Sequence, residues 1–135
     1  MPLKAYLQFG NNEIGKYSKE YLLKEVKFRF IRNHTNYRPS DDGYCESIWI
    51  ALYPPEKEDP TVFKWFISGE SLDGRIIIEL TDPLLENEER FTEIQFENAV
   101  CFDLQEDYEI ENKLRVINIG LIAEETKVED IKFSR

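Results

Sequence analysis

DPTVFKWFISG, residues 59–69, is the only segment of this 135-residue chain with a complete set of helix signals. Asp59 is a good N-cap, Pro60 suits the first helical position where its missing N–H costs nothing, and Gly69 is placed to end the helix in a left-handed conformation. Between them Val62 pairs with Phe66, and Phe63 with Ile67, at the i,i+4 spacing that puts apolar side chains on one face. The stretch reads as one short apolar helix. Nearly everything on either side reads as strand, so the helix is expected to pack on a sheet and plug its core.

Working outward, residues 3–9 (LKAYLQF) alternate as a first strand, and Gly10, Asn11 and Asn12 supply turn chemistry. A short return strand is expected at 14–17. Val26, Phe28 and Phe30 then alternate with polar neighbours in a strand within 19–32. Residues 34–43, HTNYRPSDDG, read as a structureless loop long enough to serve a contact. In 44–53, YCESIWIALY, both faces are largely apolar, the mark of a central strand covered twice. After the helix, Asp73-Gly74 is expected to turn into a strand at 75–80, and 83–89 to form an acidic loop. In 90–104, Ile94, Phe96, Val100 and Phe102 fall on one face at period two; 114–123 closes the sheet, and 124–135 is a polar tail that adds an edge strand or waits for a cover. Six to eight short antiparallel strands with one flanking helix predict a mainly β fold, a single small barrel or sandwich domain over 1–135.

A chain of this length buries roughly two-thirds of the surface its unfolded form exposes, so no disulfide or metal staple is required. Seventeen Lys and Arg against 27 Asp and Glu give a formal charge of −10. That surface repels nucleic acid and anionic membranes but suits a basic partner. Residues 1–10 are too short and interrupted for a secretory leader, and no apolar run approaches a bilayer span, so synthesis and folding in the cytosol are expected. Cys45 and Cys101 stand far apart within strand patterns and read as reduced core thiols.

Three constellations invite a chemical reading. Residues 10–16, GNNEIGK, fit the phosphate-cradling pattern G-x-x-x-x-G-K, but Tyr17 stands where a Ser or Thr must reach magnesium, and the chain lacks the alternating helices such a loop needs; a hairpin turn is the better reading. His34 is the only histidine and sits beside a polar loop, as an ordinary solvated histidine does. The acidic run from Asp103 to Glu111 carries Tyr108 where a calcium loop requires glycine, so it reads as a solvated face. No catalytic, cofactor or metal residues are assigned. Aromatics make up 13% of the chain, more than one small core needs, which points to protein contact.

Together the segments Lys4 to Phe9 with the following Gly-Asn turn, Arg38-Pro39-Ser40, Ser47 to Leu52, Asp59-Pro60 through Trp65 and Ser68-Gly69-Glu70, Gly74 to Ile78, and Phe96-Glu97-Asn98-Ala99 resemble the haemolysin-coregulated protein (Hcp) family, in particular its branch from Bacteroidetes. The resemblance spans nearly the whole chain. It departs from the family where a glycine-rich loop is replaced by the acidic Ser40-Asp41-Asp42-Gly43. It implies a non-enzymatic tube subunit of bacterial type VI secretion, made in the cytosol and exported without a signal peptide. Six copies would close into rings that stack and shelter effectors, with spike and sheath components as further partners and no cofactor. Tyr37, Arg38, Pro39, Ser40, Trp49 and Trp65 are the expected self-assembly contacts. The alternatives from the residues alone are an acidic immunity or inhibitor protein that masks a basic toxin, and a nucleotide-binding enzyme built on residues 10–16.

Overall fold

The computed structural model describes residues 3–32, 34–35, 38–39, 43–55, 59–81, 89–128 and 131–134. In chain order the elements are β1 (Leu3–Asn11), β2 (Lys16–Ile31), β3 (His34–Thr35), β4 (Arg38–Pro39), β5 (Tyr44–Leu52), α1 (Thr61–Ser68), β6 (Leu72–Thr81), β7 (Glu89–Glu109), β8 (Leu114–Val128) and β9 (Ile131–Ser134). The main sheet runs β5-β2-β1-β6-β7-β8-β9, and a further pairing of β5 with β8 closes its first six strands into an antiparallel barrel. Closure removes the exposed edges that an open sheet would carry. β9 extends the sheet beyond β5, pairing with the far end of β8. The expected polar tail is thus strand from Glu124 to Val128 and an added strand after it.

α1 connects the end of β5 to the start of β6 and packs on β7, with Trp65 set against Phe9 and the Ala99 carbonyl. Its start is one residue later than the sequence suggests. Pro60 occupies the N-cap position, with no side chain able to bond there, and the capping acceptor is Asp59, whose Oδ1 takes the Thr61 amide at 3.0 Å and the Thr61 hydroxyl at 2.5 Å. Gly69 closes the helix at φ 68°, as expected of a left-handed cap. The buried face differs from the i,i+4 expectation. Val62 and Trp65 face inward, while Phe66 is partly and Ile67 largely exposed, because a short helix packed on β7 buries only one narrow stripe.

The core centres on Phe9, whose ring meets Tyr21, Trp65 and Phe96 edge-on at centroid distances of 6.0, 5.2 and 6.3 Å. Such geometry aligns ring edges with ring faces and adds to plain area burial. Leu7, Ile48, Leu52, Ile76, Ile119 and Leu121 fill the rest. Cys45 and Cys101 are buried and form no disulfide, and burial pushes the Cys101 thiol up to about 11.

Four expectations change. The return strand and the 19–32 strand are one continuous β2, and Ile14 belongs to the turn before it. The 34–43 loop is not wholly structureless, since His34 pairs with Pro39 and Thr35 with Arg38 in a two-stranded ribbon. Asp73-Gly74 lies inside β6, with Asp73 opposite the bulged Glu97-Asn98 of β7, rather than in a turn before it, and Gly74 is needed there because a Cβ would lie 2.3 Å from the Gln8 carbonyl oxygen. The acidic loop expected at 83–89 lies outside the described residues except for Glu89, which opens β7.

The fourth change bears on function. Ile94 and Phe96 point inward as expected, but Asn98 adopts φ 52° at a register shift, so the inward positions become Ala99 and Cys101. Val100 and Phe102 therefore turn outward. A second shift, between Cys101 and Asp103, returns Leu104 to the core.

Candidate functional site

The turn at residues 10–16 is the tight connection of an antiparallel hairpin. Gly15 takes φ 66°, Asn11 Oδ1 accepts the Glu13 amide at 2.9 Å, and Lys16 opens β2. A phosphate loop must instead run from a strand into a helix N-terminus, so this geometry removes the nucleotide reading. The acidic run from Asp103 lies mostly along β7 rather than wrapping a point, and the described residues hold no metal-ligating cluster.

Strand alternation sets the outer face. Ile48 and Ile50 point into the core, so Trp49 points out, at 41% exposure. It pairs with Gly120 of β8, which pairs in turn with Asp103 beside the bulged Phe102. A Cβ on Gly120 would meet the Trp49 and Phe102 rings at 2.7 and 2.9 Å; glycine lets both rings lie across the strand. The two rings meet edge to face at 5.2 Å and 83°, and the Trp49 Nε1 donates to Ser47 Oγ at 3.1 Å. Beside them opens a groove of about 350 Å³, lined by Lys27, Glu25, Trp49, Ala51 and Asn118. Its charged rim is already paired, Lys27 to Glu25 at 3.1 Å, with Arg29 to Glu46 at 3.2 Å beyond it. An exposed Trp–Phe pair with paired charges at its margin has the make-up of an interface centre.

A second outer row crosses β2, β1 and β6. Tyr6 pairs with Leu22 on one side and Ile77 on the other, and all three point away from the core because Leu7, Leu23 and Ile76 point into it. Leu22 is 47% exposed. Alongside runs a fixed polar band: Gln8 donates to Glu20 at 2.8 Å, Arg75 Nε donates to Gln8 at 2.7 Å, and Arg75 Nη1 bonds Glu93 at 3.0 Å. The Arg75 guanidinium also stacks 4.1 Å over the Tyr17 ring. Burial raises the Tyr17 phenol, with Arg75 opposing, so the ring stays neutral beneath the cation.

The β7–β8 hairpin tip projects past the barrel with Tyr108 and Ile110 exposed. Glu106 accepts from Tyr108 and Arg115, each at 2.6 Å, and those bonds lower its carboxyl.

Of the residues expected from sequence, Trp49 stands on the outer face. Trp65 is 2% exposed, its indole donating to the Ala99 carbonyl inside the chain's own core. Arg38 and Pro39 form β4, and Tyr37 and Ser40 lie outside the described residues. The reading missed Phe102, which the break of period two between Phe96 and Ala99 could have flagged. It also missed Tyr6, Leu22 and Ile77, each an apolar residue at an outward position.

The sequence matches the family described as Hemolysin coregulated protein Hcp (TssD) over residues 1–135. The chain belongs to the Hcp family. Hcp proteins are structural tube proteins of the type VI secretion system rather than enzymes. Solved structures share the fold at low identity. Hcp1 from Flavobacterium johnsoniae aligns with a TM-score of 0.70 at 12% identity, covering 98% of this chain and 99% of that one. Secreted protein Hcp3 from Pseudomonas aeruginosa gives 0.63 at 12%, covering 93% and 88%. A type VI secretion system effector from Yersinia pestis gives 0.61 at 10%, covering 99% and 100%. No curated protein matches the sequence. Among the described residues no helix is long and apolar enough to cross a membrane.

Proposed function

We propose that this Hcp protein assembles into six-membered rings that stack as a secretion tube, shelter effector proteins in the lumen, and leave the cell by type VI secretion without a signal peptide. The observation that carries this reading is the family match over the full chain, 1–135. The outer face supports it physically. In a lone monomer Trp49 and Phe102 stay about 40% exposed, whereas a subunit contact would bury both. Trp49 is the side chain assigned to self-assembly. Trp65 acts indirectly, by seating the helix. The segment 37–40 is kept as a second contact on the strength of its Arg-Pro-Ser motif.

The charge of −10 on each copy opposes closure, so the acidic hairpin tip is assigned to solvent or the lumen rather than to the contact. Negative-stain imaging of the protein at high concentration tests the proposal. Six-fold rings, alone or in stacks, are the expected particles, and a field of monomers contradicts it.

A further inference from the structure

We infer that the hydrogen-bond cage around Asp59 guards a point of self-cleavage in the backbone, the Asp59–Pro60 peptide bond. The protection belongs to a single chain and is independent of how copies assemble.

An aspartate directly before a proline carries the means of its own chain scission, because nucleophile and target are held in one residue. A free carboxylate oxygen of Asp59 attacks the Asp59 backbone carbonyl carbon, and the bond to the Pro60 nitrogen breaks as that nitrogen takes a proton from solvent. One water then opens the cyclic anhydride that remains. The sum is one peptide bond and one water converted into the Asp59 α-carboxyl and the Pro60 secondary amine. Pro60 has no N–H, which closes the competing route in which the next backbone nitrogen attacks the side chain.

In the fold no carboxylate oxygen is free. Oδ1 accepts the Thr61 amide at 3.0 Å and the Thr61 hydroxyl at 2.5 Å, while Oδ2 accepts the Tyr21 hydroxyl at 2.8 Å and the Lys19 ammonium at 3.4 Å. These donors fill the roughly four lone-pair sites that a carboxylate offers. Two of them come from the residue after Pro60 and two from β2, 38 and 40 residues earlier, so the side chain is clamped from both sides. It reaches its own carbonyl only by breaking tertiary bonds. Among the described residues the charged and titratable groups facing it are Lys19 and Tyr21 of β2, and Arg115 of β8 across a cleft shared with Pro60 and Phe63. Both cations favour the ionised, bonded carboxylate. The Asp59 side chain is 16% exposed, which narrows the approach of the water that completes the cut.

A cut here would leave the barrel standing. Residues 1–59 carry β1 to β5 and residues 60–135 carry α1 and β6 to β9, and the β1–β6 and β5–β8 ladders join the two pieces. Scission would therefore show only under denaturing conditions.

Intact-mass spectrometry of the full chain, kept at pH 5 and 37 °C for two weeks with and without guanidinium chloride, tests the proposal. The sequence holds a second such pair, Asp82–Pro83, outside the described residues, and its cleavage in denaturant serves as the reference rate. In denaturant both bonds should be cut at similar rates. Without it the 1–59 fragment should form at least about tenfold more slowly, since the carboxylate is free only in the fraction of molecules that open locally. Tyr21→Phe with Thr61→Val removes two hydroxyl donors and keeps both shapes. Its folded form, verified by circular dichroism, should release 1–59 several-fold faster than folded wild type, and Tyr21→Phe alone takes its place if the pair does not fold. Asp59→Glu should release none. Equal Asp59–Pro60 rates with and without denaturant, or in folded wild type and folded variant, overturn the proposal. So does a denatured chain that stays whole at Asp59–Pro60, which means the bond is not labile, and so do 1–59 fragments from Asp59→Glu, which mean an outside protease.

Discussion

Trp65 and Ala99 bind the helix to the barrel wall: the indole Nε1 donates to the Ala99 carbonyl oxygen at 3.0 Å, in a site where the indole is 2% exposed. Ala99 directly follows Asn98, whose left-handed backbone shifts the register of β7. One irregularity therefore serves two ends. It sits beside the helix anchor, and it turns Val100 and Phe102 toward the outer face.

Trp65→Ala should cost about 3–5 kcal/mol, the usual range for emptying a buried aromatic site. Trp65→Phe keeps most of the apolar volume but orphans the Ala99 carbonyl, and should cost about 1–3 kcal/mol. Ile67→Ala, at 80% exposure, should stay within about 0.5 kcal/mol. Urea titrations followed by tryptophan-independent circular dichroism check all three, and equal losses for Trp65→Ala and Ile67→Ala would refute the anchoring role.

Two glycines separate folding from assembly. A Cβ at Gly74 meets the Gln8 carbonyl oxygen at 2.3 Å, a backbone atom held in the β1–β6 ladder. Gly74→Ala should therefore lower stability by about 1–3 kcal/mol or more. At Gly120 the obstacles are the Trp49 and Phe102 rings, which are partly exposed and free to swing outward. Gly120→Ala should leave the melting temperature nearly unchanged and weaken self-association. Thermal melts beside sedimentation velocity distinguish the two effects; a larger melting loss at Gly120 would reverse the argument.

The helix entry sets the pH limits. Burial works against the Asp59 carboxylate, but bonds from the Thr61 hydroxyl and amide, Tyr21 and Lys19 outweigh it and hold the group down at about 2, below its ordinary 3.8. A depressed carboxyl stabilises above its unfolded value, and that contribution, about 2 kcal/mol, is lost as pH falls from about 4 through 2. Burial, reinforced by Asp59, pushes the Tyr21 phenol up to about 12 from 10.0. The stability linked to that raised phenol is complete below 10 and lost as pH rises through about 12. Asp59→Ala should flatten the acid limb of a stability–pH curve and Tyr21→Phe the alkaline limb. Unchanged limbs in both variants would exclude this site as their source.

The helix was legible in the sequence because its signals are local: Asp59, Pro60 and Gly69 act on their own neighbours. Strand existence was legible for the same reason. Strand phase was not. Whether Phe102 faces in or out depends on bulges at Asn98 and Phe102, and those are set by how β7 fits β6 on one side and β8 on the other. Gly74 was misread as a turn because what demands a glycine there is the Gln8 backbone, 66 residues earlier. The outer Trp49 patch was half visible, in a strand that is apolar on both sides. The outer row of Leu22, Tyr6 and Ile77 comes together only once three strands are in register.

Salt should favour assembly. Each copy carries a formal charge of −10, and at 0.5 M salt the screening length falls well below the roughly 10 Å found at 0.1 M. Mass photometry at 0.05 and 0.5 M sodium chloride should show the ring fraction rising several-fold, whereas a falling fraction would mean that ion pairs rather than apolar faces hold the copies together.

In the proposed tube, the contact between copies runs through Trp49. Light scattering after size exclusion, on wild type and Trp49→Glu side by side, addresses it most directly. The expected result is a wild-type mass six times the 16.1 kDa monomer, or multiples of that ring, and a folded Trp49→Glu variant at the monomer mass. A wild type that elutes as a monomer at millimolar concentration would rule out self-assembly, and a Trp49→Glu variant that still forms rings would remove Trp49 from the contact.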